Sequence, residues 1–259
     1  MPYQKHPQLF KEIPSNDSKI WRFMDFPELM ALLEYHTLFF PKSTKLGSKY
    51  EGEYSYAEEE WNKIIYKDKI PNDTICKVLK DNKSYNKLQR ECVYINCWHI
   101  NDYESNLLWN YYSGDNGIAI QSTFGNVIMS FDKSLEIIYG GPVYYIDYFE
   151  DWMPDGNILF PFIHKPIFFK EERELRFLTY HHPKPEQYRE YLKIDGKHIN
   201  VNIDMLIETI YLSPSSPHWM FDLLKSIVKR YNLNKEVIVS KLHFQYKVKN
   251  ESEIDYRHD

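Results

Sequence analysis

Apolar and polar positions change over in short blocks along this chain, with period-2 and period-3.6 stretches following one another, the pattern of an α+β protein. Residues 20–24 (IWRFM) read as a first strand. Asp25 stands where an N-cap is wanted, Pro27 falls in the first turn, and Leu29, Leu32 and Leu33 recur at helical spacing. Residues 36–41 (HTLFFP) return as a second strand, and 42–53 form a polar loop with two glycines, a common place for a binding lid or an ordinary surface connection. Residues 54–69 and 73–90 carry helix-period apolar positions around Pro71 and predict a helical insert. Residues 92–98 (CVYINCW) read as a buried strand. Asn101 and Glu104 then have capping-box spacing for a helix ended by Gly114 and Gly117. On that helix Ser105, Trp109 and Tyr112 share one face, while Leu107, Leu108 and Tyr111 cover the core.

Strands follow at 117–123 and 143–148, and 151–166 is Pro-rich and predicts a loop with a short helix. Residues 188–194 and 198–203 read as a hairpin around Asp195-Gly196. A strand at 207–212, an amphipathic helix at 219–231 and a closing strand at 237–242 complete the core, with a polar arm at 1–19 and a charged tail at 243–259. The expected architecture is one α+β domain over 20–242, a central mostly antiparallel sheet flanked by helices.

The stretch 168–180 (FFKEERELRFLTY) stands out. Read as a strand, it projects Glu172, Glu174 and Arg176 from one face, since strand side chains alternate sides. Such a row is either a solvated ladder or the floor of a polar site. Its flanks, Phe168, Phe169, Leu175, Phe177 and Leu178, are those of a central strand, and charge on a central strand needs a wet cleft above it.

Composition narrows the classes. Aromatic residues reach 17%, with 22 tyrosines and only nine glycines, which excludes a disordered chain. A net charge of −5 gives no global basic field, so any nucleic-acid contact must come from a local patch. Cys76, Cys92 and Cys97 have neither the number nor the spacing of a disulfide framework or a zinc site, and read as buried thiols in a reducing cytosol. No apolar run approaches the ~20 residues of a membrane span, and no apolar leader opens the chain, so a soluble cytoplasmic protein without a membrane partner is expected. GxGxxG, GxxxxGK[ST], GxSxG and HExxH are absent, which disfavours Rossmann, P-loop, α/β-hydrolase and zincin chemistry.

Three groups of residues carry candidate chemistry. Glu172, Glu174 and Arg176 are the first. His99, Ser105, Trp109 and Tyr112 offer stacking surfaces and hydroxyls of the kind that line nucleotide sites, although Trp109 equally suits a core. Arg22, between Trp21 and Phe23, suits bidentate capture of a phosphate or carboxylate, or an ion pair with a surface acid.

The ordered set WRFMDFPELMALLEYHTLFF, YEG, CWHINDYESNLLWNYYS, GIAIQST, VYYIDY, K-x3-F-x2-E-x-E-x-R and IYLSPSS resembles a mainly bacterial family catalogued as domain of unknown function 2971. The family's strand Arg falls on Arg22, its ES-x-x-MW-x-x-Y helix on Glu104, Ser105, Leu108, Trp109 and Tyr112, and its E-x-E-x-R on Glu172, Glu174 and Arg176. Leu108 replaces Met, and the family's acidic-proline loop is here Gly47-Ser48-Lys49-Tyr50-Glu51-Gly52. More distantly the order of motifs looks like that of ADP-ribosyltransferases, whose early Arg or His grips NAD, whose central Tyr or Ser lies under nicotinamide, and whose late Glu holds the ribose.

That likeness implies NAD as ligand. Glu174 or Glu172 would serve as the catalytic carboxylate, with Arg176 orienting it. Arg22 would bind pyrophosphate or ribose, and Tyr112 or Trp109 would stack on a ring. It further implies a transferase or NAD glycohydrolase acting in toxin or phage-defence settings, with a nucleic-acid or protein acceptor and a defence-system partner protein. Two alternatives stand beside it: a non-catalytic module sensing a nucleotide or phage protein, and a nuclease holding Mg²⁺ on Glu172, Glu174 and Asp147.

Overall fold

The computed structural model describes residues 2–67, 69–112, 116–154 and 156–242; the expected tail at 243–259 and the expected stop at Gly114 lie outside the described residues. The first half of the chain runs β1 (Lys19–Met24), α1 (Phe26–Tyr35), β2 (Thr37–Pro41), α2 (Tyr56–Lys67), α3 (Asn72–Cys92), β3 (Val93–Ile100), α4 (Asn106–Tyr112), β4 (Ile118–Thr123) and α5 (Phe124–Ser130). The second half runs β5 (Tyr139–Pro142), β6 (Tyr144–Ile146), β7 (His164–Pro166), β8 (Glu174–Tyr180), α6 (Tyr188–Tyr191), β9 (Gly196–Asn200), α7 (Ile203–Leu206), β10 (Thr209–Leu212), α8 (His218–Arg230) and β11 (Glu236–Val239).

Seven strands form one sheet in the order β11-β10-β4-β1-β3-β8-β5. Only β10 and β11 run parallel within it, and every other neighbour pair is antiparallel. The mixed, mostly antiparallel sheet flanked by helices is therefore the observed fold class. β3 and β8 share the longest register, from Val93 opposite Tyr180 to His99 opposite Glu174. That pairing brings His99 beside the acidic end of β8.

The opening unit forms as its sequence predicts. Asp25 accepts from the Glu28 backbone, and Glu28 reaches back to the Asp25 N–H, a complete capping box. Leu29, Leu32 and Leu33 are buried, and His36 closes the helix in the left-handed region at φ 52°. One apolar core of α1, α5, α7 and α8 side chains covers part of the sheet, including Leu29, Val127, Leu206 and Leu224. A second centres on Leu9, Phe10, Val93, Ile95, Phe162 and Leu178. Leu9 and Phe10 belong to the segment expected as a polar arm; they are 1% exposed. Phe10 sits against Gly141, where a Cβ would come within 2.4 Å of its ring.

Several expected elements differ. The stretch 168–180 is not one strand. Ile167–Glu172 is a 3-10 helix, Arg173 reverses the chain in the left-handed region at φ 41°, and the strand starts only at Glu174. The hairpin around Asp195-Gly196 does not form, because 188–191 is a helical turn and β9 pairs with β2, Thr37 opposite Asn200. Helix α4 begins at Asn106 rather than at an Asn101 cap; Ser105 Oγ accepts from the Leu108 backbone at 3.4 Å. Its core side is Leu108 and Trp109, while Leu107 and Tyr111 are exposed. Among the cysteines Cys92 is buried, Cys97 half-buried and Cys76 exposed, so the reading of three buried thiols holds for only part of the set. Among the described residues no helix is long and apolar enough to cross a membrane.

Candidate functional site

The sheet positions a cleft above β1, β3 and the start of β8. Its volume is about 310 Å³, and Arg22, Tyr112, Glu172, Glu174 and His99 all line it, with Trp21, Glu51 and Lys165 among their neighbours. Residues from five distant segments thus converge on one space.

Its floor is a buried charge cluster. Arg176 is 0% exposed and donates through four N–H groups. Nε bonds Glu174 Oε1 at 2.9 Å, Nη2 bonds Glu174 Oε2 and Glu51 Oε1 at 3.0 Å each, and Nη1 bonds the Phe162 carbonyl at 2.7 Å. Nη1 also lies 2.7 Å from Glu51 Oε2. Lys165 completes the cluster at 2.6 Å from Glu172 Oε2, 3.1 Å from Glu174 Oε2 and 3.6 Å from Glu51 Oε1. The planar guanidinium fork matches a carboxylate on each side, which a lysine could not do. Its position behind Glu174 makes Arg176 an orienting group, and it is absent from the cleft lining.

The two carboxylates nearest the cleft differ. Burial works against the charge on Glu174, but Arg176 and then Lys165 outweigh it and hold its carboxyl well below the usual range. Both of its oxygens are engaged. For Glu172, burial is the larger influence and raises its carboxyl, with Lys165 working the other way. Glu172 is reached through Oε2 by Lys165, which leaves Oε1, among the described residues, free to accept.

His99 contacts the Glu172 carbonyl through Nδ1 at 2.6 Å, so Nδ1 carries the proton and Nε2 keeps its lone pair. Among the described residues that Nε2 is buried without a partner. Burial lowers the imidazole below its ordinary value, with the Glu172 carbonyl opposing and Arg173 reinforcing the shift. Arg22 Nη1 donates to the Cys97 carbonyl at 3.0 Å, and its other amine end lies 3.9 Å from Glu28, a long and weak pairing. The guanidinium is thereby braced on β3 with donors left for a ligand.

Two expected site residues fall elsewhere. Trp109 is buried with Trp21, Phe23, Leu108 and Ala119, and its Nε1 donates to Glu104 at 2.9 Å. It packs α4 on the sheet and does not reach the cleft. Ser105 caps α4 and does not line the cleft either. Tyr112 lines the cleft and is more than half exposed. Asp147 belongs to a separate exposed turn, where it accepts from the Phe149 N–H at 2.8 Å.

Two cluster members were not among the residues singled out. Glu51 comes from the polar loop 42–53, read as a binding lid or an ordinary surface connection, yet it is 3% exposed and forms an inner wall. Gly52, at φ 71° and with its α-carbon against the Phe162 ring, allows that close approach. Asn86 Nδ2 holds the Gly52 carbonyl at 2.9 Å, and Arg90 pairs with Glu53, so α3 clamps the segment. Lys165 stands at the head of the K-x3-F-x2-E-x-E-x-R string, and that string was its only signal. Among the described residues no group of three or more His, Cys, Asp or Glu is arranged to hold a metal ion. The Lys165 ammonium occupies the space between the acids that a cation would need.

No protein-family profile matches the chain, and no curated protein matches it. A solved structure, described as "Thermus sp. 2.9 DarT in complex with NAD+", aligns at 11% identity, covering 89% of this chain and 98% of that one, with a TM-score of 0.41.

Proposed function

We propose that the chain is an NAD-consuming enzyme, an ADP-ribosyltransferase or NAD glycohydrolase, with its reacting centre at the Glu172–Glu174 end of the cleft. The observation that carries this reading is the convergence of Arg22, Tyr112 and Glu174, from three distant segments, on one cavity. The likeness of motif order to ADP-ribosyltransferases assigns those positions to pyrophosphate or ribose, ring and ribose respectively. A cavity of about 310 Å³ takes the nicotinamide-ribose half, with the adenosine half extending through the open mouth.

The charge balance supports the same chemistry. Glu51, Glu172 and Glu174 face Lys165 and Arg176, three carboxylates against two cations, so one negative charge remains when Glu172 is ionised. In the reaction the C1′–N bond breaks and its electron pair leaves with neutral nicotinamide. Positive charge develops on the ribose, and preorganised anions stabilise it. The acceptor's oxygen or nitrogen then bonds C1′ and releases one proton. Glu172, with a free oxygen and a raised carboxyl value, suits uptake of that proton. Glu174, fixed by Arg176, suits the permanent anion.

Nicotinamide release from NAD⁺ by the purified chain tests this. Turnover is expected, and Glu172→Gln should lower it by about 100-fold or more while the fold persists, because Glu174 and Glu51 still pair Arg176. NAD⁺ binding without turnover would instead mark a non-catalytic sensing module. Turnover untouched by both Glu172→Gln and Glu174→Gln would remove the carboxylates from the mechanism.

A further inference from the structure

An aromatic ridge leads away from the cleft and serves no role in the chemistry above. It starts at Lys165, whose ammonium lies 4.8 Å from the Phe169 ring centre. Tyr50 contacts Phe168 and Phe169 at 5.6 and 6.1 Å. Farther out, Tyr56 stacks on Phe149 at 5.2 Å, and Trp61 meets Trp152 at 6.0 Å. Tyr50, Tyr56, Phe149 and Phe168 border a second cavity of about 250 Å³, which joins the two halves of the ridge. Phe149 is 71% exposed, Phe168 61% and Trp152 58%. Apolar side chains this open, and this contiguous, mark an interaction surface.

The charge on the ridge selects its occupant. Between Val143 and Pro154 the chain carries Asp147, Glu150 and Asp151 and not one Lys or Arg. Asp147 and Asp151 accept backbone N–H groups from Phe149 and Asp147 respectively, which holds both side chains in this turn. In helix α2 Glu58 is buried and Glu60 pairs with Lys63, so the acidic character of the ridge rests on the residues around Phe149. The cations on the near side are Lys49, over the Tyr50 ring at 5.0 Å, Lys165 over Phe169, and the exposed Lys170 beside it, so the acids concentrate on the Phe149–Trp152 half. Flat rings set among carboxylates favour arginine, which stacks on the ring and pairs with the acid. The same carboxylates repel a polyanion and a second copy of this chain, whose own net charge is −5.

We propose that this ridge docks a cationic, arginine-bearing segment of a partner protein. That the docked protein is the acceptor rests on the transferase reading; the docking itself does not. The test uses the full chain and three fluorescent probes: a 12-residue peptide alternating Arg and Tyr, its Glu-for-Arg counterpart, and a 12-nucleotide oligothymidine. Fluorescence anisotropy should show saturable binding of the arginine peptide only. Phe149→Ala with Trp152→Ala should weaken it about tenfold, the loss of two exposed cation–π contacts, with the unfolding midpoint and NAD⁺ hydrolysis unchanged.

Binding of oligothymidine in place of the peptide overturns the proposal, as does peptide binding indifferent to the double substitution. Self-association in sedimentation that the double substitution abolishes also overturns it. Because the anisotropy and sedimentation measurements contain no NAD⁺, their failure leaves nicotinamide release standing, and failure of nicotinamide release leaves them standing.

Discussion

Replacing Arg176 by Met keeps the volume and removes the fork on which Glu51 and Glu174 close. Four hydrogen bonds disappear, to Glu174 twice, to Glu51 and to the Phe162 carbonyl. Taking one partner from a buried ion pair costs about 3–5 kcal/mol, mostly because the remaining charge is stranded. Here Lys165 stays within 3.1 Å of Glu174 and 3.6 Å of Glu51, which places the loss at the lower end, about 3 kcal/mol. For a chain of this size that is a fall of about 6–12 °C in unfolding midpoint.

The loss carries a pH signature. In the native protein Glu174 is depressed below its unfolded value of 4.5, so its contribution is fully present above that value and fades as pH falls through the folded one. In Arg176→Met, burial is no longer outweighed by the guanidinium, and a proton relieves the stranded charge. The stability gap measured by urea unfolding should therefore be widest at pH 7 and narrow markedly by pH 4. An equal gap at both pH values, or one under about 1 kcal/mol at pH 7, would refute the account of Arg176 as keystone of two buried carboxylates.

Three further outcomes follow from the same geometry. Gly52→Ala should lower the unfolding midpoint by several degrees and reduce NAD⁺ turnover, because the added Cβ meets the Phe162 ring at 2.3 Å at a φ of 71° and pushes Glu51 off Arg176; thermal unfolding with unchanged midpoint counts against this. The His99 imidazole should titrate below 6.5 by NMR, so that acidification through the unfolded value destabilises the fold until the folded value is passed; a midpoint at or above 6.5 contradicts its burial. Lys165→Met should free Glu172 and Glu174 of their shared cation and move the acid limb of the NAD⁺ turnover profile to higher pH, since the cation opposes burial at Glu172; an unmoved limb separates Lys165 from the reacting carboxylate.

How far the site could be read from sequence follows from the range of the forces involved. Local rules were enough for the Asp25–Glu28 box and for the buried Leu29, Leu32 and Leu33 of α1, where cap and stripe lie within ten residues. They failed at 168–172. There the spacing of Glu172, Glu174 and Arg176 is the period of a strand, yet a left-handed Arg173 allows Glu172 to sit on a 3-10 turn beside the same cation. Lys165 supplies the proximity that the strand was expected to supply.

The Asp195-Gly196 hairpin failed for the converse reason. A good turn dipeptide lost to pairing with β2, a contact made across the chain and held by the Lys42 N–H on the Asp195 carbonyl at 2.9 Å. Trp109 had the residue type of a stacking platform, and only the packing of α4 on Trp21 and Phe23 decides that it is core. Glu51 was least legible of all. Its partner lies 125 residues away, and in sequence it is one acid in a polar loop. A buried arginine on a central strand nevertheless demands an anion for each side of its fork, and Glu174 fills only one. Once Arg176 is placed in the core by its apolar neighbours, a second carboxylate from elsewhere in the chain is required, and the Glu51-Gly52 turn, able to approach the Phe162 ring closely, is the segment that delivers it.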